Sequence, residues 1–349
     1  MEQAEQAGGL PGFVTREVQA YLRCGLPEYG CALLLCERCG KSLLVAFSCK
    51  RRGFCPSCCG RRMNDAALHL TEFVLPEVPV RQWVCSLPWQ LRYAMGYDRT
   101  LCAQVLSAFA TELSRSYRHR AKREHGLCSM ALAHTGSVTF VQRVDSALRL
   151  NVHAHTLMLD GVYVRGERAG ELRWLDLPEP TQQQVQQLAQ RTAARIERLL
   201  RKAGRYLDAE DSDCAHSGEQ DSLLLDQPAL SACYQAAATG RSMTGQAVLR
   251  LLREPKTSRP SAKPLCAEVR GVNIHASATV PGTDRRRLER LCRYAARPPL
   301  SQEHLEQHHD GRLRLRFKKP WSDGTTALLL EPHDLIARLV SAIPPPRFH

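Results

Sequence analysis

Three groups of residues in this chain have the types and spacing needed for chemistry. His153 and His155 stand two apart in Leu148-Arg-Leu-Asn-Val-His-Ala-His-Thr-Leu-Met-Leu-Asp160, a stretch that alternates in polarity. Two imidazoles on one pleat sit roughly 7 Å apart along the backbone and can converge on one ion. Imidazole pairs suit Mn, Fe, Co, Ni, Cu or Zn, and Mg where oxygen ligands complete the shell. The competing reading is a polar sheet face. Cys36-Glu-Arg-Cys39 and Cys55-Pro-Ser-Cys58 form two Cys-x2-Cys knuckles, which together supply four thiolates for one tetrahedral structural zinc. Cys24, Cys31, Cys49 and Cys59 are left over, and spacing does not say whether one replaces a named ligand or builds a second site. Tyr294 has Arg290 one turn before it and Arg297 three residues after it, on one side of a helix. Two guanidiniums beside a phenol can hold a phosphate and stabilise charge on phenolate and phosphorus, so Tyr294 is a candidate nucleophile for a phosphodiester. Plain packing is the alternative for a helical tyrosine.

Periodicity indicates the elements that must position these groups. The 148–160 stretch reads as a strand with Leu148, Leu150, Val152, Ala154 and Met158 on one face, and Arg149, Asn151, His153 and His155 on a wet one. Further strands are expected over 80–89, ended by Pro88, and over 137–144, where Val138, Phe140 and Gln142 share a face. Another spans 272–280, with Asn273, His275, Ser277 and Thr279 on one side. Helices are expected over 100–124, from the capping box Thr181-Gln-Gln-Gln184 to about 206, and over 229–252. The helix carrying Tyr294 is capped by Asp284 and stopped by Pro298-Pro299. Residues 208–228 and 254–264 read as loops. Arg312, Arg314, Arg316 and Lys318 alternate with Leu313, Leu315 and Phe317 before Ser322-Asp323-Gly324, a hairpin with a basic outer face suited to a nucleic-acid backbone.

Composition narrows the partner. The 349 residues carry a formal charge of +13 and a pI near 9.2, owed mainly to arginine, whose guanidinium grips phosphate bidentately. Nucleic acid is the expected acidic partner. Arg51, Arg52, Arg61 and Arg62 flank the second knuckle and would touch DNA backbone, a solvated basic face being the alternative. No run of eighteen apolar residues occurs and the first residues lack a signal-peptide pattern. No membrane is therefore expected, and a cytoplasmic location is. Eight of the fifteen cysteines crowd between Cys24 and Cys59, which suggests metal binding in a reducing compartment.

These features occur together in a known family. The chain resembles the rolling-circle HUH transposases of the insertion sequence 91 family, including common-region elements. The likeness runs through Phe47-Ser-Cys-Lys50, Gly53-Phe-Cys-Pro-Ser-Cys58 with Arg61-Arg-Met63, Arg81-Gln-Trp-Val84, Val141-Gln-Arg143, and Leu150-Asn-Val-His-Ala-His155. It continues through Leu159-Asp-Gly-Val-Tyr163, Leu291-Cys-Arg-Tyr294 with Arg297-Pro298, and Asp323-Gly-Thr-Thr326. The resemblance implies an α+β protein: a zinc-ribbon-like, DNA-binding module over 1–75, then an HUH endonuclease domain over 76–300 with an antiparallel sheet of about five strands flanked by helices. Residues 301–349 would form a basic hairpin and a C-terminal tail shorter than that of relatives.

The resemblance also implies a mechanism. His153 and His155, with Gln142 or else His275 as third ligand, would hold Mg or Mn against the scissile phosphate of single-stranded DNA at the element's ends. Tyr294 would attack it, giving a 5′-phosphotyrosine and a free 3′-hydroxyl, with host replication machinery as a further partner. Arg290, Arg297, Arg314, Arg316 and Lys318 would contact DNA. Two-tyrosine members carry tyrosines four residues apart, but Arg290 holds that position here, which implies the single-tyrosine branch. Two rivals remain: a non-enzymatic zinc-ribbon DNA-binding protein, and an amidohydrolase-type metal enzyme built on a barrel of β/α units.

Overall fold

In the computed structural model, residues 9–166, 168, 170–205, 222–252 and 265–347 are described. Helix α1 (Gly12–Leu22) leads into a hairpin of β1 (Cys31–Leu35) and β2 (Ser42–Ala46), then α2 (Pro56–His69) and a π-helical turn over Leu70–Val74. Next come β3 (Val80–Ser86), α3 (Trp89–Tyr97), α4 (Arg99–Glu124), β4 (Ser137–Val144), β5 (Leu150–Leu159), β6 (Gly161–Arg165) and β7 (Leu172–Asp176). They are followed by α5 (Gln182–Lys202), α6 (Ser222–Asp226), α7 (Pro228–Thr239), β8 (Leu249–Leu252), β9 (Cys266–Val269) and β10 (Val272–Val280). Helix α8 (Arg285–Ala295), strands β11 (Leu305–Gln307), β12 (Leu313–Arg316) and β13 (Thr325–Leu330), and helix α9 (Pro332–Ala342) complete the chain.

The central sheet has five strands in the order β4-β5-β3-β10-β9, every neighbouring pair antiparallel. Alternation decides which layer each side chain joins. Trp83, Cys85, Val152, Ala154, Ile274 and Ala276 face a core shared with Val105 and Phe109 of α4 and Val185 and Leu188 of α5. Val80, Leu157, Leu159 and Val280 face the opposite way, onto Ala67 and Leu70 and onto Leu288, Cys292 and Ala295 of α8. The expected wet face of β5 is therefore a buried one, because α8 lies across it. This antiparallel sheet with helices on both faces is α+β, and among the described residues it leaves no place for the parallel barrel of the amidohydrolase reading.

One end of the sheet is pinned by charge. The buried Asp160 carboxylate, just after β5, accepts from Arg81 Nε at 3.0 Å and Tyr117 Oη at 2.9 Å, and from Thr279. Arg81 also donates to the Ser277 carbonyl at 2.7 Å, so one ion pair joins β3, β5, β10 and α4. Burial makes such a pair depend on every partner being present.

Two expectations need correction. The helix expected over 229–252 stops at Thr239, where Gly240 turns with φ +71°, and Leu249–Leu252 is a strand. That strand pairs with β13, and the basic hairpin becomes part of a four-stranded sheet, β11-β12-β13-β8. Arg316 there is paired with Glu306 at 2.9 Å and Arg314 lies 4.0 Å from the same carboxylate, while Arg316 and Lys318 are both exposed. The capping box at Thr181 and Gln184 forms as expected. The loop expected over 254–264 and most of that over 208–228 lie outside the described residues.

Candidate metal and nucleophile site

The register of the central sheet assembles the site. Opposite His155 stand Phe140 on β4 and Val84 on β3, and opposite His153 stands Gln142. The two imidazoles lie with ring centroids 5.0 Å apart. Helix α8 brings Tyr294 down beside them: its ring meets His155 edge to face at 5.7 Å, and the Arg297 guanidinium lies 4.9 Å from the same phenol ring. His155 is only 3 % exposed while Tyr294 is 48 % exposed, so the phenol is open to solvent above a nearly dry pair of imidazoles.

Hydrogen bonds decide which ring atoms are available. His153 Nδ1 donates to the Asn151 carbonyl at 2.5 Å, which leaves the lone pair on Nε2. Gln82 on β3 lies 2.8 Å from His155 Nδ1, and His155 Nε2 is buried with no partner among the described residues. As placed, the Gln82 Nε2 amide group donates to Nδ1 and the ring proton sits on Nε2; turning the amide over, so that its oxygen accepts from Nδ1–H, moves the lone pair to Nε2, the state that can take a metal. Burial, followed by the positive fields of His153 and Arg297, pushes His155 down to about 3. Burial also lowers His153, against the hydrogen bond to Asn151 that favours its proton. Two neutral imidazoles, one with an orphaned buried nitrogen, fit a divalent ion.

Gln142 has another task besides facing the pair. Its Nε2 donates to the Ala295 carbonyl at 2.9 Å and the Tyr294 carbonyl at 3.4 Å, clasping the C-terminal turn of α8. His275 stands beyond Val84, one strand further from His155. The orienting role of Gln82 was not anticipated. Its signal is a buried amide between Val80 and Val84 on one face of a strand.

At the N-terminal module the ligand set changes. Cys24, Cys49, Cys55 and Cys58 gather with all four sulfurs within 4.8 Å of one another. Cys24 Sγ is 3.7 Å from both Cys55 and Cys58, and Cys49 Sγ is 3.4 Å from Cys58. Four thiolates at about 2.3 Å from zinc have sulfur–sulfur edges of about 3.8 Å, so the cluster fits a tetrahedral zinc. Burial opposes ionisation of Cys58, but hydrogen bonds from Cys49, Lys50 and the neighbouring thiols outweigh it and bring Cys58 down to about 7. Cys36 and Cys39, expected to share this site, do not: they occupy the exposed tip of the β1–β2 hairpin. Five extended residues carry them roughly 17 Å from the hairpin's base. Cys24, after α1, and Cys49, after β2, take their place. Glu17 of α1 accepts from Gly53 N at 2.8 Å, holding α1 against the ligand loop, and Phe54 enters the central core with Val14 and Ile343.

The arginines expected to meet DNA divide into free and engaged ones. Arg51, Arg52 and Arg61 are exposed beside the cysteine cluster, and Arg62 donates to the carbonyls of Lys50 and Arg51. Arg290 and Arg297 are exposed on either side of Tyr294.

Two family models match the chain. The family described as "Putative transposase", Y2_Tnp, matches residues 136–349, and the transposase zinc-binding domain Zn_Tnp_IS91 matches residues 1–87. No curated protein and no solved structure matches the chain. Since the first family covers more than half of the sequence and the second coincides with the four-thiol cluster, the chain belongs to the Y2_Tnp transposases and is an IS91-type DNA transposase with a structural zinc module.

Proposed function

We propose that this transposase works by a rolling-circle mechanism, nicking and rejoining single-stranded DNA through Tyr294. The observation that carries the reading is the contact of the Tyr294 ring with His155, 139 residues apart in sequence, with Arg297 against the same phenol. His153 and His155 would hold Mg or Mn through their Nε2 atoms, and the bound ion would polarise the scissile phosphate. Tyr294 Oη would attack phosphorus, losing its proton to solvent. The bond from phosphorus to the 3′ oxygen would break, leaving a 5′-phosphotyrosine and a 3′-hydroxyl. Attack by a 3′-hydroxyl on that adduct reverses the exchange and frees the phenol. Arg297 and Arg290 are suited to hold the phosphate oxygens, and Arg51, Arg52, Arg61, Arg62, Arg314, Arg316 and Lys318 to follow the strand.

With single-stranded oligonucleotides and Mn, a covalent protein–DNA adduct should form and disappear in Tyr294→Phe. An adduct that persists in that variant would assign the nucleophile elsewhere. Failure of the wild-type protein to form any adduct on strands it binds would favour simple DNA binding.

A further inference from the structure

The first Cys-x2-Cys knuckle is left over once the structural zinc site is assigned. It is nevertheless built as a ligand turn: Gly40 N donates to the Cys36 carbonyl at 2.8 Å and Cys36 N to the Lys41 carbonyl at 2.9 Å, with Gly40 at φ +68° closing the turn. Hydrogen bonds from the Cys39 backbone, the Cys39 thiol and the Arg38 backbone lower the Cys36 thiol. Two thiolates are half of a tetrahedral zinc shell. Among the described residues the knuckle has no third Cys, His, Asp or Glu ligand gathered with it.

The arm that carries the knuckle is incomplete in a second way. Leu33, Leu35 and Leu44 lie on one face of the hairpin, and Leu34, Leu43 and Val45 on the other, and all six are exposed. A two-stranded hairpin is marginal in water without a covering layer, and an apolar surface of this extent on both faces marks an interface.

We infer that the β1–β2 arm joins two copies of this chain, with Cys36 and Cys39 of each completing one shared four-thiolate zinc site and the exposed leucines packing against their equivalents. A second copy answers both deficits at once, because a two-fold contact presents the same two thiols and the same leucines again. Charge favours it as well. Zinc with four thiolates carries two negative charges, and each tip brings Arg38 and Lys41 against Glu37, so the two tips together offset them. Assembly forms four Zn–S bonds and releases the thiol protons to solvent. This site goes beyond the strand-transfer reading and is independent of Tyr294.

The test uses the full chain under reducing conditions, with zinc at stoichiometric supply, native mass spectrometry and metal analysis. The expected species is a dimer with three zinc ions: one in each module and one shared. Cys36→Ser/Cys39→Ser should give a monomer that keeps one zinc, the retained ion reporting that its module is folded. A second variant, Leu33→Glu/Leu34→Glu, keeps both thiols, puts a charge on each face of the arm, and should weaken dimerisation at least tenfold. A wild-type monomer with one zinc, a monomer with two, a dimer that survives loss of both thiols, or an unchanged dissociation constant in the leucine variant would each overturn the proposal.

Discussion

Gln142 offers a prediction that separates two roles for one side chain. As a metal ligand it would present its amide oxygen to the ion, and Gln142→Glu would strengthen binding by adding a charge. As a clasp on α8 it needs its amide hydrogens, which donate to Ala295 at 2.9 Å and Tyr294 at 3.4 Å. Gln142→Ala removes one good and one weak hydrogen bond, a loss of about 1–2 kcal/mol at a partly buried site. Gln142→Glu removes the same bonds and sets a carboxylate against the carbonyl end of a helix, which adds about 0.5–1 kcal/mol. Glutamate should therefore be worse than alanine by about 0.5–1 kcal/mol, for a total loss of about 1.5–3 kcal/mol, and a loosened last turn should slow adduct formation by at least about tenfold. Single-turnover rates of adduct formation, urea denaturation and Mn titration on the three proteins measure these quantities. If Gln142→Glu binds Mn more tightly and reacts at the wild-type rate with unchanged stability, the clasp is wrong and the ligand role stands.

Other expectations follow from the same structure. Asp160→Ala should cost up to about 3–5 kcal/mol, since it leaves the buried Arg81 guanidinium with only the exposed Glu179 carboxylate; a urea-denaturation loss below 1 kcal/mol would show the network to be dispensable. Cys24→Ser or Cys49→Ser should abolish the structural zinc, whereas Cys36→Ser should leave it in place; the opposite pattern in metal analysis would restore the two-knuckle site. His155 titrates near 6.5 when unperturbed and is pushed down to about 3 in the fold, so between those values the unfolded chain binds a proton that the native one refuses. Stability of the metal-free protein should then fall as pH drops from about 6.5 toward 3, by up to about 1.4 kcal/mol per pH unit from this group. His155→Gln should flatten that dependence, and an unchanged slope in denaturant midpoints at pH 7.5, 6 and 4.5 would contradict the assignment.

Much of this was legible from residue order. Strict alternation put His153 and His155 on one face of a strand, because the pleat admits only one arrangement for residues two apart. Asp284, the capping box at Thr181 and the prolines after Arg297 marked helix ends through local hydrogen bonding and backbone restriction, which need no distant partner. The strand order, the burial of the histidines beneath α8 and the meeting of Tyr294 with His155 came from packing between segments far apart in sequence. The cysteines show the divide most clearly. Spacing identifies a knuckle because the turn is local, but which knuckles share an ion depends on where the hairpin, α1 and α2 lie in space. Tertiary structure therefore joined Cys24 and Cys49 to Cys55 and Cys58 and left Cys36 and Cys39 at the tip of an exposed arm.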